Sequence, residues 1–342
     1  MKELPVLFPL ISTYPEYGHL FSILDVTDTN VEAWIISNFI NVVGYEYRFF
    51  HFRDTWTLLK RCPFIQCNSI DRGFVKYIWR KSAISLFVSI VDSGCYIIID
   101  LDRFYISNSP EYQRHHINHK TLIYGYDANK KIFNVADNLE NGKYVRFEYS
   151  FADVELSYSL MESIGNNDGY DVFYLKSFDC KNYKFDICYL LRELELYVSQ
   201  NSLNVEWGYA YNLDAITYFA EQIENTACGD NEKMNIDLRP ACLFIDQKDI
   251  MSLRIQYLCR KNYIGKGEEL LKKNKAIRQR YVSVLNSLMK YNVTKNTQIL
   301  WIVIDSLHDL RTLDNAFFND LILQIHECEA VKRLIGAKKF TW

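Results

Sequence analysis

The stretch from Tyr112 to Asp137 constrains the fold of this chain more than any other. His119 opens a run of strand character, His119-Lys120-Thr121-Leu122-Ile123-Tyr124-Gly125-Tyr126-Asp127, and Asp137 closes the next, Lys131-Ile132-Phe133-Asn134-Val135-Ala136-Asp137. Between them, Asp127-Ala128-Asn129-Lys130 has the composition of a hairpin turn. The two runs are expected to pair antiparallel, with His119 and Asp137 near the same end. A carboxylate there orients an imidazole, and the imidazole then acts on a nucleophile, which is the logic of acyl-transfer triads. The nucleophile is the member this stretch does not supply.

The other 300-odd residues set the class of molecule. A chain of 342 residues that is 49% apolar and 15% aromatic has material for two domains with real cores and is not disordered. Its 39 basic and 42 acidic residues give a net charge of -3, so there is no global electrostatic case for a nucleic-acid partner. The longest apolar runs, Ala83 to Val91 and Ile299 to Ile304, are far too short to cross a bilayer, and no membrane partner is expected. Met1-Lys2-Glu3-Leu4-Pro5 lacks the basic, apolar and cleavage regions of a secretory signal, which makes a cytoplasmic location the expectation. Nine scattered cysteines fit reduced, buried thiols better than a disulfide framework, and Cys62 and Cys67 have no second pair to complete a zinc site. No Walker A loop or dinucleotide fingerprint occurs, so neither cofactor nor metal is expected.

Organisation changes near residue 180. Before it, strand-like runs (Val6 to Pro9, Gly44 to Phe52, Cys95 to Asp100, Gly142 to Glu148, Tyr170 to Ser177) alternate with helical ones. The helical runs are Asn30 to Val43, capped by Thr29 or Asn30, then Ile70 to Asp92, ending at Ser93-Gly94, and Phe151 to Glu162 headed by Ser150. A loop, Gly165 to Gly169, precedes the last strand. After residue 180, helical periodicity dominates, at 184–200, 209–226, 240–261, 267–290 and 312–335. The expected fold is α+β over residues 1–180, followed by a helical domain over 181–342. Lys272, Lys273, Lys275, Arg278 and Arg280 make residues 267–280 locally basic, either as a solvated helix face or as a docking surface for an acidic partner.

Asp100-Leu101-Asp102-Arg103-Phe104-Tyr105, Tyr112 through His119, Leu122-Ile123-Tyr124-Gly125-Tyr126-Asp127 and Val135-Ala136-Asp137 together resemble the core of the family typified by butirosin biosynthesis protein H. The resemblance covers residues 90 to 160. It implies a papain-like (C39-like cysteine peptidase) N-terminal domain that transfers acyl groups from carrier proteins in antibiotic and nonribosomal peptide biosynthesis. On this likeness His119 is the catalytic histidine and Asp137 its orienting partner, while Asp127 belongs to the turn. An acyl or peptidyl carrier protein would dock at Lys272, Lys273 and Arg278, and a small molecule would accept the acyl group. His115 and His116 are expected to be solvated loop residues, and a metal held by His115, His116 and His119 finds no further ligand at suitable spacing.

The chain departs from that pattern at the nucleophile. Papain-like chemistry places a cysteine at the N-terminus of the first long helix, where the dipole and the histidine depress its pKa. No cysteine precedes Cys62, and the corresponding stretch reads Ser12-Thr13-Tyr14-Pro15-Glu16-Tyr17-Gly18-His19-Leu20-Phe21-Ser22-Ile23-Leu24-Asp25. Ser22 or Ser12 could supply an oxygen nucleophile, a later thiol such as Cys62, Cys67 or Cys95 could be recruited, or the scaffold could have lost its chemistry and serve as a binding protein. A peptidase or amidase differs from a transferase only in what resolves the intermediate, and stays open as well.

Overall fold

The computed structural model describes residues 1–45, 49–53, 55–79, 82–140, 142–161, 171–178, 180, 182–199, 210–229 and 234–338. The elements run β1 (Lys2–Glu3), α1 (Pro15–Ile23), α2 (Thr29–Ser37), β2 (Val42–Gly44), β3 (Phe50–Phe52), α3 (Leu58–Arg61), β4 (Ile65–Ile70), α4 (Ala83–Asp92), β5 (Tyr96–Asp102) and β6 (Asn118–Asp127). Then come β7 (Ile132–Glu140), β8 (Lys143–Ser150), α5 (Phe151–Leu160), β9 (Val172–Ser177), α6 (Ile187–Val198) and β10 (Ala210–Tyr211). Five helices close the chain: α7 (Leu213–Cys228), α8 (Arg239–Arg260), α9 (Gly267–Thr294), α10 (Gln298–Glu327) and α11 (Glu329–Lys338). Two compact units result, one of Met1–Val31 with Trp56–Asn182, the other of Glu32–Thr55 with Tyr183–Trp342.

In the first unit an antiparallel sheet has the order β4-β9-β5-β6-β7-β8, and β1 pairs with β6. The hairpin is as the sequence reads. Tyr126 pairs with Phe133 and Asp127 with Ile132, and Asp127 Oδ1 turns the chain by accepting from the backbone N–H groups of Asn129 and Lys130. Alternation sends Ile97, Ile99, Leu101, Ile123, Phe133, Val135 and Tyr149 to one face. There they bury against Phe87 and Val91 of α4 and Val154 and Tyr158 of α5. Ser82 caps α4 through the N–H of Ile84, Gly94 ends it at φ +81, and Ser150 caps α5 through the N–H of Asp153. Helix α1 packs against β6 and β7.

Several boundaries differ from expectation for local reasons. Val6 to Pro9 is not a strand; β1 lies upstream at Lys2–Glu3. Ile70 ends strand β4, and the stretch after it is interrupted: Asp71 Oδ1 accepts from the N–H of Phe74, a π-helical turn spans Phe74–Ile78, and only then does α4 begin. Helix α2 is capped by Asp28, whose Oδ1 takes the N–H groups of Asn30 and Val31, and it stops at Ser37 because Phe39 adopts φ +56. The expected strand Gly44 to Phe52 is instead two strands, β2 and β3, in a sheet ordered β10-β2-β3; positions 46–48 lie outside the described residues. The loop Gly165 to Gly169 also lies outside them.

Residues 32–55 belong with the C-terminal helices, so a contiguous domain 1–180 is not what forms. Asn41 Nδ2 donates to Glu193, the N–H of Val42 donates to Asn212 Oδ1, and Gln247 and Arg254 donate to the carbonyls of Ile40 and Ile36. The second unit is otherwise helical. Helix α10 starts at Gln298, so the apolar run Ile299 to Ile304 is its first turns, where the sequence reading started a helix only at 312. Its core contains a lysine–aspartate pair: Lys248 and Asp314 are both fully buried with Nζ 2.6 Å from Oδ1, at an angle poor for a hydrogen bond, and Tyr281 donates to Asp314 Oδ2 at 3.0 Å. No helix is long and apolar enough to cross a membrane among the described residues.

Candidate functional site

His119 lies at the start of β6, opposite Leu101 of β5, and Asp137 lies near the end of β7. Their side chains meet, with His119 Nδ1 2.7 Å from Asp137 Oδ1. The carboxylate is fully buried and held by more than the imidazole. Arg103 donates to Oδ2 at 2.9 Å, Thr121 Oγ1 to the same oxygen at 3.3 Å, and the N–H of Asn138 to Oδ1 at 2.6 Å. Burial pushes the Asp137 carboxyl up, but the hydrogen bonds and charges of His119 and Arg103 outweigh it and hold the group below the usual carboxylate range. An ionised Asp137 fixes the proton of His119 on Nδ1 and leaves the Nε2 lone pair to work. The imidazole is partly exposed, at 24% of its side-chain surface.

Helix α1 brings a second histidine to the same strand. His19 is buried; its Nε2 lies 3.3 Å from the carbonyl oxygen of Lys120, and its Nδ1 lies 2.9 Å from the Tyr144 hydroxyl. That Lys120 oxygen is also 3.2 Å from His119 Nδ1, so the two imidazoles share one backbone acceptor. Burial drives the His19 pKa down to about 4, which keeps the ring neutral, donating from Nε2 and accepting from Tyr144. Close approach of α1 to β8 depends on Gly18, where a Cβ would lie 2.4 Å from the Tyr144 ring.

Three further ionisable side chains lie on α1 and on the strands beside it. Lys120 Nζ sits 3.1 Å from Asp100 Oδ2, and burial raises the Asp100 carboxyl. Glu16, in the first turn of α1, is half-buried and is also raised by burial, against the opposing effects of its own backbone N–H, Lys120 and His119. Just outside lies another imidazole–carboxylate pair: His116 Nδ1 is 2.6 Å from the buried Asp102 and stacks on Phe104 at 4.1 Å. His116 is 62% exposed, as a loop residue should be, but its ring is fixed rather than free. His115 is exposed.

None of the hydroxyls or thiols named from the sequence partners His119. Ser22 is buried, donates to the carbonyl of Gly18 at 2.7 Å and engages the Tyr144 hydroxyl. Ser12 is half-buried, and its carbonyl accepts from Asn138 Nδ2. Cys62 is buried, which raises its thiol to about 12. Cys67 lies on β4, separated from β6 by β9 and β5. Cys95 precedes β5 at the end remote from Leu101 and His119, about 20 Å away at 3.3 Å per residue. Among the described residues no group of His, Cys, Asp and Glu is arranged to hold a metal ion.

Sequence reasoning paired His119 with Asp137 but missed Arg103, His19, Tyr144 and Glu16. The signal for α1 was present, since Pro15 starts a helix and Glu16 and His19 are three apart on one face. No family model and no curated protein matches the chain.

Proposed function

We propose that the first unit is a papain-like domain and that the chain is a tailoring or accessory acyltransferase of nonribosomal peptide or polyketide-type biosynthesis, acting on carrier-bound acyl thioesters. The observation that carries the reading is the His119–Asp137 pair at 2.7 Å, built on a buried carboxylate with its other oxygen committed to Arg103. An imidazole so held can take a proton from an acyl acceptor and return it to a departing thiolate. The carrier would meet the basic helix α9. Lys273 already pairs with Glu269 and Asp320, and Arg278 with Asp249, whereas Lys272 forms no ion pair among the described residues. A carrier's acidic side chains would exchange with these exposed pairs at small cost, because water screens ion pairs at the surface.

Thiol release from a panel of acyl-pantetheine thioesters, with wild type and His119→Ala compared, tests the chemistry. Release that falls ~100-fold in the variant is the expected result for loss of a general acid–base group. Equal rates would remove His119 from the reaction. A second reading, a binding scaffold that has lost its chemistry, is favoured by the absence of any Ser or Cys partner of His119 among the described residues; no release by wild type from any thioester selects it.

A further inference from the structure

Stability alone does not account for Lys248 of the second unit. It lies on α8 with its side chain fully buried and Nζ 2.6 Å from Asp314 Oδ1 of α10, and that nitrogen finds no hydrogen bond of good geometry among the described residues. Aromatic rings surround it: the Phe318 ring centre is 4.9 Å from Nζ, those of Tyr197 and Tyr281 are 5.9 Å away and that of Phe317 is 6.0 Å away. Replacing a buried lysine–carboxylate pair by apolar side chains of similar volume is often neutral or stabilising, so packing gives this amine no reason to be here. The chamber around it borders a cavity. Between α9 and α10 a space of about 350 Å³ is lined by Ile277, Leu313, Ala316 and Phe317, with Lys273 and Arg280 also along it. Small-molecule sites span ~300–1,000 Å³ and are mostly apolar, which this space matches. Phe317 belongs to both, lining the cavity and standing over Nζ.

We propose that Lys248 forms a Schiff base with an apolar aldehyde that enters through this cavity, its chain lying along Ile277, Leu313 and Ala316 while the Phe317 ring turns aside. This goes beyond the acyl-transfer reading, which concerns the first unit, and does not depend on it. Asp314 Oδ1, at 2.6 Å, holds the proton that the ammonium gives up. The Nζ lone pair then bonds to the carbonyl carbon, and a nitrogen proton moves to the carbonyl oxygen to give a carbinolamine. Asp314 returns its proton to that hydroxyl, the C–O bond breaks and water leaves. Lysine ammonium and aldehyde become protonated imine and water, with no other reactant, and the imine's charge rests against the Asp314 carboxylate as the ammonium's did. Burial lowers the Lys248 pKa against the opposing pull of Asp314, which favours the free amine that attacks a carbonyl. Tyr281, donating to the other Asp314 oxygen at 3.0 Å, holds the carboxylate in place.

The test uses the full chain, octanal and sodium cyanoborohydride, which reduces an imine to a stable octylamine, followed by intact mass and peptide mapping. Wild type is expected to carry the octyl group on Lys248 and to acquire it ~10-fold faster there than on exposed Lys272, as a desolvated lysine beside a proton acceptor should. Ala316→Phe fills the cavity from an exposed position, so it leaves the buried chamber intact; it is expected to slow labelling of Lys248 ~10-fold with an unchanged melting temperature. Octyl groups on exposed lysines with none on Lys248 of wild type overturn the proposal, and that result depends on no variant folding. Labelling of Lys248 at the wild-type rate in Ala316→Phe overturns the cavity as the route.

Discussion

At the scale of single residues, burial sets the protonation of two imidazoles, His19 and His51. His19 sits beside Tyr144 and a carbonyl, and burial lowers its folded-state pKa to about 4, while burial and the charge of Arg239 lower that of His51 in the second unit to about 4. A histidine with a depressed folded pKa binds its proton more readily when unfolded. Stability is then complete above the unfolded value of 6.5 and is lost as pH falls from there towards 4. Each histidine contributes up to about 3 kcal/mol across that window. Urea unfolding at a series of pH values should show the loss, and His19→Gln should remove the His19 share while leaving that of His51. A profile flat between these pH values would mean that neither ring is buried neutral. Asp137 acts at lower pH with the usual carboxylate sign, its contribution present above 3.8 and lost as pH falls through its depressed folded value. Its link to His119 was legible in the sequence because a two-residue periodicity and a turn fix which strand ends meet. The place of His19 was not legible, because its partners Lys120 and Tyr144 lie more than a hundred residues along the chain.

At the scale of elements, the site is made by docking α1 on the sheet. Glycine at position 18 is the condition for that docking, since a Cβ would stand 2.4 Å from Cδ2 and 2.5 Å from Cε2 of Tyr144. Gly18→Ala is expected to cost ~1–3 kcal/mol through overpacking. It should also weaken the His19–Tyr144 hydrogen bond and slow thiol release, since His19 shares the Lys120 carbonyl with His119. Chemical denaturation together with the thiol-release assay checks both, and a variant as stable and as active as wild type would show that Tyr144 moves aside freely. The helix itself could be read from Pro15, but its partner could not, as nothing in nine residues of helix names a tyrosine 126 positions away from Gly18. The same limit explains β2 and β3. Their aromatic run reads as one strand, and only the antiparallel pairing of β2 with β3 shows it to be two.

At the scale of the whole molecule, the chain is discontinuous in its units. Residues 32–55 hold hydrogen bonds from Asn41, Val42 and Arg53 to partners beyond residue 190, among them Glu193 and Asn212. A fragment ending at residue 181 would leave Ile36, Ile40, Val42, Phe50 and Phe52, all buried, without their covering helices. It is expected to aggregate or to lack cooperative unfolding, which circular dichroism and size-exclusion chromatography would reveal; a soluble fragment with a sharp transition would argue that the first unit tolerates the loss. Sequence by itself determined the β-hairpin that joins His119 to Asp137, the glycine-ended helix α4, the Ser150 cap, the helical character of the C-terminal half and the change of organisation near residue 180. All of these are local, carried by side-chain period, turn chemistry and caps within a few residues. Tertiary structure alone decided that Arg103 clamps the site carboxylate, that His19 shares the Lys120 carbonyl with His119, that Ser22 is spent on its own helix and that residues 32–55 belong with the C-terminal helices. Each of these depends on burial and on partners far away in the chain, which have no signature in the spacing of neighbouring residues.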